Sequence, residues 1–197
     1  MNYQSLAYQY HLNWLDLTEL ASCIINDEAR RYFLAPAGEE HYRLLADLSF
    51  QPALTLALDI GTFRGCSALA LASDPKTEVV SFDLEDKVEL RQIPASANIR
   101  FVVDDVLKVQ YIELIQRANL ILLDTDHDGV FERQFFQRLL DLQWHGWLVL
   151  DDIYLNEAML RFWESIHMPK EDISQYGHWS GTGLVYFPSQ SGVMFDV

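Results

Sequence analysis

An acidic residue closes each of five short apolar runs in this chain: Asp59, Asp83, Asp104 with Asp105, Asp124, and Asp151 with Asp152. Any one of them is explained as the cap of a following helix, but five in succession ask for a common purpose. The first run leads into Asp59-Ile60-Gly61-Thr62-Phe63-Arg64-Gly65-Cys66-Ser67-Ala68. Gly61 and Gly65 permit a tight turn and the close approach of a ligand to bare backbone. Their spacing is GxxxG, not the GxGxxG on which a dinucleotide pyrophosphate rests. Asp83 closes the second run, where a carboxylate can accept hydrogen bonds from both hydroxyls of a ribose. Ribose is common to NAD, FAD and S-adenosylmethionine, so these letters alone leave the cofactor open. A second cluster, His178-Trp179-Ser180-Gly181-Thr182-Gly183, combines a titratable ring, a large aromatic and glycines. It suits the rim of an active site, and a hairpin turn around a buried tryptophan explains it equally well.

The elements that would hold these residues can be read from periodicity. Candidate strands are Thr55–Ile60, Glu78–Asp83, Ile99–Val103, Leu120–Asp124 and Gly146–Asp151, with a further strand at Gly183–Phe187. Amphipathic stretches separate most of them: Phe131, Phe135, Phe136, Leu139 and Leu140 recur at helical spacing, as do Leu155, Met159, Phe162, Trp163 and Ile166 after an Asn156 N-cap. This alternation predicts an α/β fold, a doubly wound sheet of about seven strands, mostly parallel with an antiparallel last strand. In such sheets ligands bind beyond the carboxyl ends of the strands, where the acids lie. Residues 1–50 read as a helical cap or flank of two or three short helices, broken at Pro36 and Gly38, the last spanning Glu39–Leu48. Residues 51–197 then form the main domain.

The segment DIGTFRGCSA with Asp83 after it resembles motif I and the post-I acid of class I S-adenosylmethionine-dependent methyltransferases. The order of elements agrees from about Glu39 to Phe187, most of the chain. Within that superfamily the pattern is most similar to the cation-dependent O-methyltransferases of the catechol and caffeoyl-CoA types and of the macrocin and cephalosporin-biosynthesis types. The resemblance implies a Rossmann-like fold, S-adenosylmethionine as cofactor, and a small-molecule hydroxyl as acceptor. It places cofactor contacts at Asp59, Gly61, Thr62, Gly65, Ser67, Asp83 and Asp105, with Ser67 near the methionine carboxylate and Asp105 near the adenine. Asp104 leaves the register of that last acid open, and Arg64 is also read as an ordinary surface cation. Metal carboxylates fall at Asp124 in LILLDTDHDG and at Asp151 with Asp152 in GWLVLDDIY.

Elementary chemistry agrees with that metal assignment, since three oxygen donors from neighbouring strand ends suit Mg²⁺ foremost, or Mn²⁺ or Ca²⁺, with positions left for water and substrate. Such a cation lowers the pKa of a hydroxyl and holds the oxygen nucleophile in line with the methyl group. The other reading is that Asp151 and Asp152 cap the next helix and Asp124 begins a turn. Catechol-type enzymes carry a lysine three positions after the fourth-strand aspartate; here that place is His127, a candidate base, or a turn residue between Asp126 and Asp128. His178 is the second candidate catalytic histidine. His41, His145 and His167 are scattered, and Tyr154, Trp147 and Trp163 read as core.

Composition bounds the rest. The chain has 197 residues, enough for one hydrophobic core without staples. Its net charge of −15 argues against nucleic acid or anionic membrane surfaces as partners, and a homodimer is left open. Met1–Leu20 shows no basic start before a greasy run, and the apolar runs are far shorter than a bilayer span, so a cytoplasmic protein is expected. Cys23 and Cys66 are expected to be reduced, small buried hydrophobes. Two rival functions use the same glycine turn. An NAD-dependent or nucleotide-sugar oxidoreductase should also show GxGxxG and a Tyr-xxx-Lys base, and neither is present. A non-catalytic S-adenosylmethionine-binding module would have no need of Asp124, Asp151 and Asp152.

Overall fold

In the computed structural model, which describes residues 5–189, apolar β-branched and leucine-rich runs form six strands where the sequence placed them, and a short polar one joins them. They are β1 (Leu56–Ile60), β2 (Glu78–Asp83), β3 (Ile99–Val103), β4 (Leu120–Leu123), β5 (Gly146–Asp151), β6 (Lys170–Asp172) and β7 (Thr182–Phe187). The sheet order is β3-β2-β1-β4-β5-β7-β6. β1 to β5 run parallel; β7 is antiparallel to both β5 and β6. The expected seven-stranded, mostly parallel Rossmann-like sheet is therefore present. β6 is the element that periodicity missed, because Lys-Glu-Asp is too short and too polar to signal a strand.

Alternation along each strand sends side chains to two separate layers. Leu56, Leu58 and Ile60 of β1 join a core cluster with Ile115, Phe135, Leu139, Phe162 and Trp163. These last come from α6 (Ile112–Arg117), α7 (Phe131–Asp141) and α8 (Glu157–Ser165). Ala57 faces the opposite way, onto a cluster that includes Phe33, Leu45, Leu69 and Leu71. That second face is covered by α5 (Cys66–Leu71) and by the amino-terminal helices α2 (Thr18–Ala21), α3 (Asp27–Phe33) and α4 (Tyr42–Ser49); α1 (Ser5–Asn13) precedes them. Helices on both faces remove the sheet from water, as a parallel sheet requires. The amino-terminal helices share this core with β1, β4 and β5. Residues 1–4 and 190–197, the ends of the two segments expected from the sequence, lie outside the described residues.

The last amino-terminal helix starts later than expected, at Tyr42 rather than Glu39. Residues 38–40 are drawn out of the helix by the loop before β7: the Gly38 amide donates to the Gly177 carbonyl at 3.1 Å, and the Trp179 amide to the Glu39 carbonyl at 3.4 Å. Arg43, one turn on, gathers the carbonyls of Leu15 (2.7 Å), Ala35 (2.9 Å) and Leu34 (3.1 Å), which ties the helices together at the base of α4. Both cysteines are free and buried. Among the described residues no helix is long and apolar enough to cross a membrane.

Candidate active site

The order of strands reverses between β1 and β4, so the connections leave their two carboxyl ends in opposite directions and open a crevice there. Gly61, at φ +106°, is forced by this junction: a Cβ on it would lie 1.6 Å from the Asp124 carbonyl oxygen. A cleft of about 590 Å³ occupies the crevice, and its wall includes Gly61, Phe63, Asp83, Asp105, Asp124 and His127. Asp83 is pinned from two sides, since Oδ2 accepts from the Phe63 amide at 2.8 Å and Oδ1 from the Glu85 amide at 3.1 Å. The carboxylate so held is part of the cleft wall. Asp104 is consumed by Lys108, by Tyr111 (2.8 Å) and by Gln110 (3.1 Å), and the Lys108 and Tyr111 contacts hold its carboxyl below the ordinary value. Asp105 makes only a local turn, accepting from the Leu107 amide at 2.8 Å.

The other four residues expected to meet a cofactor are not part of this wall. Asp59 is fully buried on the α5 side of β1, with Ser81 donating to Oδ2 at 2.6 Å and no partner for Oδ1 among the described residues. Thr62 bonds Ser81 behind it, and Ser67 is buried in α5 beside Asp59. Gly65, at φ +85°, makes the left-handed turn into α5, and a Cβ there would press on Leu90. These residues shape the glycine turn from within.

A second group of side chains converges a few ångströms away. Asp124 follows β4, Asp151 ends β5, and Asp152 sits just beyond it in a strained left-handed conformation, φ +59°. His127 Nε2 lies 3.3 Å from Asp124 Oδ1 and 3.1 Å from Asp152 Oδ2. His178 Nδ1 lies 2.9 Å from Asp152 Oδ1, with Ser180 bonded to both, and its Nε2 is 3.7 Å from Glu40 Oε2. The structure therefore brings together the predicted Asp124, Asp151, Asp152, His127 and His178. Neither aspartate after β5 caps α8; Asn156 does, accepting from the amides of Ala158 (2.9 Å) and Met159 (3.0 Å). Trp179 is 71% exposed, so the buried-tryptophan hairpin is not what these letters encode. Of the aromatics read as core, Trp163 is buried, whereas Tyr154 is about half exposed and donates to Asp172 at 2.7 Å.

Two members were missed by the sequence reading. Glu40 and His41 reach the cluster from the amino-terminal cap. His41 is 3% exposed, its Nδ1 3.1 Å from Asp151 Oδ2 and its Nε2 4.0 Å from Asp124 Oδ2. The only sequence cue is their place next to the Pro36–Gly38 break, and a break says nothing of where the following residues go.

Four carboxylates packed against three imidazoles perturb one another strongly. Burial pushes the Asp124 carboxyl up, and the Asp151 charge adds to this. Burial also raises Glu40. For the histidines, burial favours the neutral ring but the carboxylates outweigh it. Asp151 carries His41 to about 10, Asp124 carries His127 to about 9, and Asp152 and Asp151 raise His178. Asp152 moves the other way: burial pushes it up, and the contacts from His178 and Ser180 overcome that. The carboxylates crowd together here with imidazoles as their counter-charges, and two sets of donor atoms, His41 with Asp124 and Asp151, and Asp151 with Asp152 and His178, each lie within 4.8 Å of one another, a spacing that could hold a metal ion.

The loop that presents His127 is held from both ends. Glu132, buried in α7, accepts from Thr125 Oγ1 at 2.8 Å and from the His127 amide at 3.0 Å, while Asn156 Nδ2 donates to the His127 carbonyl at 2.8 Å. His127 itself is at φ +56°. Asn156→Ala should therefore remove a helix cap and release this loop together, lowering stability by about 1–2 kcal/mol. Urea unfolding measures the loss, and a loss under ~0.3 kcal/mol would show that neither bond matters.

No protein-family model matches the sequence, and no curated protein matches it. Solved structures do match the fold. A methyltransferase from Geobacter sulfurreducens superposes with a TM-score of 0.59 at 15% identity, over 94% of this chain and 99% of that one. The O-methyltransferase TomG from Streptomyces achromogenes, involved in tomaymycin synthesis and solved with S-adenosylmethionine, gives 0.57 at 16% identity over 93% and 96%. The Podospora anserina methyltransferase PaMTH1, bound to S-adenosylhomocysteine, gives 0.53 at 14% identity over 95% and 89%. With its strand order, its antiparallel β7 and its crevice at the β1–β4 reversal, the chain has the Rossmann-like fold of the class I S-adenosylmethionine-dependent methyltransferases.

Proposed function

We propose that this protein is an S-adenosylmethionine-dependent O-methyltransferase that acts on a hydroxyl of a small molecule with the help of a divalent cation. One observation carries the reading: Asp124 and His127 belong at once to the wall of the 590 Å³ cleft and to the carboxylate–histidine cluster. A methyl donor lying in the cleft would thus have its reactive end beside the cluster. In the cleft, Asp83 would receive the ribose hydroxyls, and Asp105, freer than Asp104, would face the base. The cluster fits a cation on chemical grounds, since Asp124, Asp151 and Asp152 supply hard oxygen donors whose charge is otherwise met only by the rings of His41, His127 and His178.

The reaction breaks one S–CH₃ bond and forms one O–CH₃ bond, and the acceptor's proton must leave. A divalent cation among the three aspartates supplies positive charge that offsets the carboxylates and makes a nearby hydroxyl more acidic. His127 is the ring that faces the cleft and can take that proton. In the field of the neighbouring carboxylates it is held up at about 9 and stays protonated at neutral pH, so it can serve as a base only once that field is offset. His178, gripped between Asp152, Ser180 and Glu40, is placed to orient Asp152 rather than to meet the acceptor.

Thermal shift with S-adenosylhomocysteine, NAD and FAD tests the cofactor, because a ligand of the folded state raises apparent stability. S-adenosylhomocysteine should stabilise the chain, and Asp83→Ala should weaken its binding by about 100-fold or more, the worth of charged hydrogen bonds to two hydroxyls. A panel of phenol, sugar and polyketide hydroxyls, with and without chelator, tests the transfer. Stabilisation by NAD alone, or methyl transfer indifferent to chelator, would refute the corresponding part.

A further inference from the structure

Three oxygen donors from strand ends account for a hard cation such as Mg²⁺, but they do not account for His41. This ring is buried at 3% exposure, and neither of its nitrogens has a hydrogen-bond partner among the described residues. The approach of Nδ1 to Asp151 at 3.1 Å is out of line for a hydrogen bond. An imidazole buried without a hydrogen bond costs free energy that the nearby Asp151 charge offsets only in part, and this one is fixed with some effort. It packs edge-on against Tyr42 at 4.6 Å between centroids and against His178 at 5.8 Å. It also heads a helix whose Arg43 binds five separate carbonyls. One nitrogen of His41 and one oxygen each from Asp124 and Asp151 lie within 4.8 Å of one another. Ligand atoms around a single ion at about 2.1 Å are separated by about 3 Å when adjacent and about 4 Å when opposite, so atoms no more than 4.8 Å apart need to draw in by only about half an ångström to share one coordination sphere.

We propose that His41 is a nitrogen ligand of the cation, delivered by the amino-terminal cap, and that the resulting mixed nitrogen–oxygen site selects a borderline transition-metal ion over Mg²⁺ or Ca²⁺. The selectivity follows from ligand type: Mg²⁺ and Ca²⁺ take oxygen donors, whereas imidazole suits first-row transition ions, with affinity rising from Mn²⁺ to Co²⁺. The consequence reaches into the fold. His41 belongs to the segment zipped to the Gly177–Trp179 loop, so the ion would tie the cap to the sheet as well as to the chemistry.

This inference rests on the proposed cation site and is tested apart from it. Isothermal titration of the full chain with Co²⁺, Mn²⁺ and Mg²⁺, after chelation and dialysis, should show Co²⁺ binding about 100-fold or more tighter than Mg²⁺. His41→Ala and His41→Gln should each lower Co²⁺ affinity by about 10–100-fold and change Mg²⁺ affinity by less than about threefold, as expected of a lost nitrogen donor. S-adenosylhomocysteine binding, unchanged in both variants, certifies that they are folded. Equal losses for Co²⁺ and Mg²⁺ would reduce His41 to a packing residue and overturn the proposal, as would a wild-type chain that prefers Mg²⁺. If none of the three ions binds while S-adenosylhomocysteine does, the cation-assisted reading fails with it, and the methyltransferase reading stands without metal.

Discussion

Asp151→Asn should lower methyl transfer by about 10³-fold or more while leaving S-adenosylhomocysteine affinity within about threefold of the wild type. The magnitude follows from what the substitution removes. Asp151 is buried and shared between the His41 and His178 sides of the cluster, so its charge is the one that every proposed cation position uses. An ion that acidifies a hydroxyl and aligns it is worth several kcal/mol of transition-state stabilisation, and about 4 kcal/mol is the stated factor. The cofactor half of the expectation follows from position. Asp151 is not in the wall of the cleft, whereas Asp124 is; Asp124→Asn is therefore the poorer probe, because it disturbs both. Amide replaces carboxylate without change of shape, and Thr182 Oγ1, 3.4 Å from Oδ1, keeps a neighbour. The measurements are turnover on whichever hydroxyl acceptor the panel identifies, and calorimetry with S-adenosylhomocysteine. Loss of both in equal proportion would make Asp151 a structural acid and take the proposed metal role from it.

The same residue shows what the sequence could and could not disclose. Asp124, Asp151 and Asp152 were legible because their position follows from local pattern: an apolar run that fits a buried parallel strand ends where its first acid stands, and parallel strands put all such ends on one edge. Asn156 was legible for the same reason, being the capping residue ahead of a helical stripe. Glu40 and His41 were not. Nothing local marks them, and their arrival depends on two backbone hydrogen bonds to a loop far along the chain and on carbonyls collected by Arg43. The start of α4 was misplaced on the same account, since tertiary bonds took residues that propensity gives to a helix. The glycine turn was legible as a turn, yet its inner and outer sides were not: Gly61 and Asp83 face the cleft, while Asp59, Thr62 and Ser67 face the core. Gly61 proves to be required by the closeness of Asp124 rather than by a ligand alone.

Asp59 provides the second large effect, on stability rather than turnover. Burial pushes its carboxyl up to about 7, against 3.8 for the free side chain, with the hydrogen bond from Ser81 and the nearby Ser67 hydroxyl relieving only part of that. The folded chain therefore holds this proton where the unfolded chain has released it. Stability falls as pH rises wherever the folded state binds more protons, so Asp59 destabilises the fold progressively between about pH 4 and pH 7, and by a constant amount above. The gap of roughly three pH units corresponds to about 4 kcal/mol at 1.36 kcal/mol per unit, an order-of-magnitude figure. Asp59→Asn keeps an oxygen acceptor for Ser81 and has no proton to lose. Relative to wild type it should gain up to about 4 kcal/mol in urea unfolding at pH 8 and little at pH 4.5. Taking the difference between the two proteins at each pH removes most of the titration of the carboxylate–histidine cluster, which both contain, and leaves Asp59 with its coupling to Asp124 and His41. A variant with no advantage at pH 8 would show that Asp59 is ionised at no cost in the folded chain, and that a partner, such as a buried water on the unsatisfied Oδ1, meets its charge. A gain that is the same at both pH values would point instead to packing around Ser67 and Ser81, because only a titrating group makes the difference depend on pH.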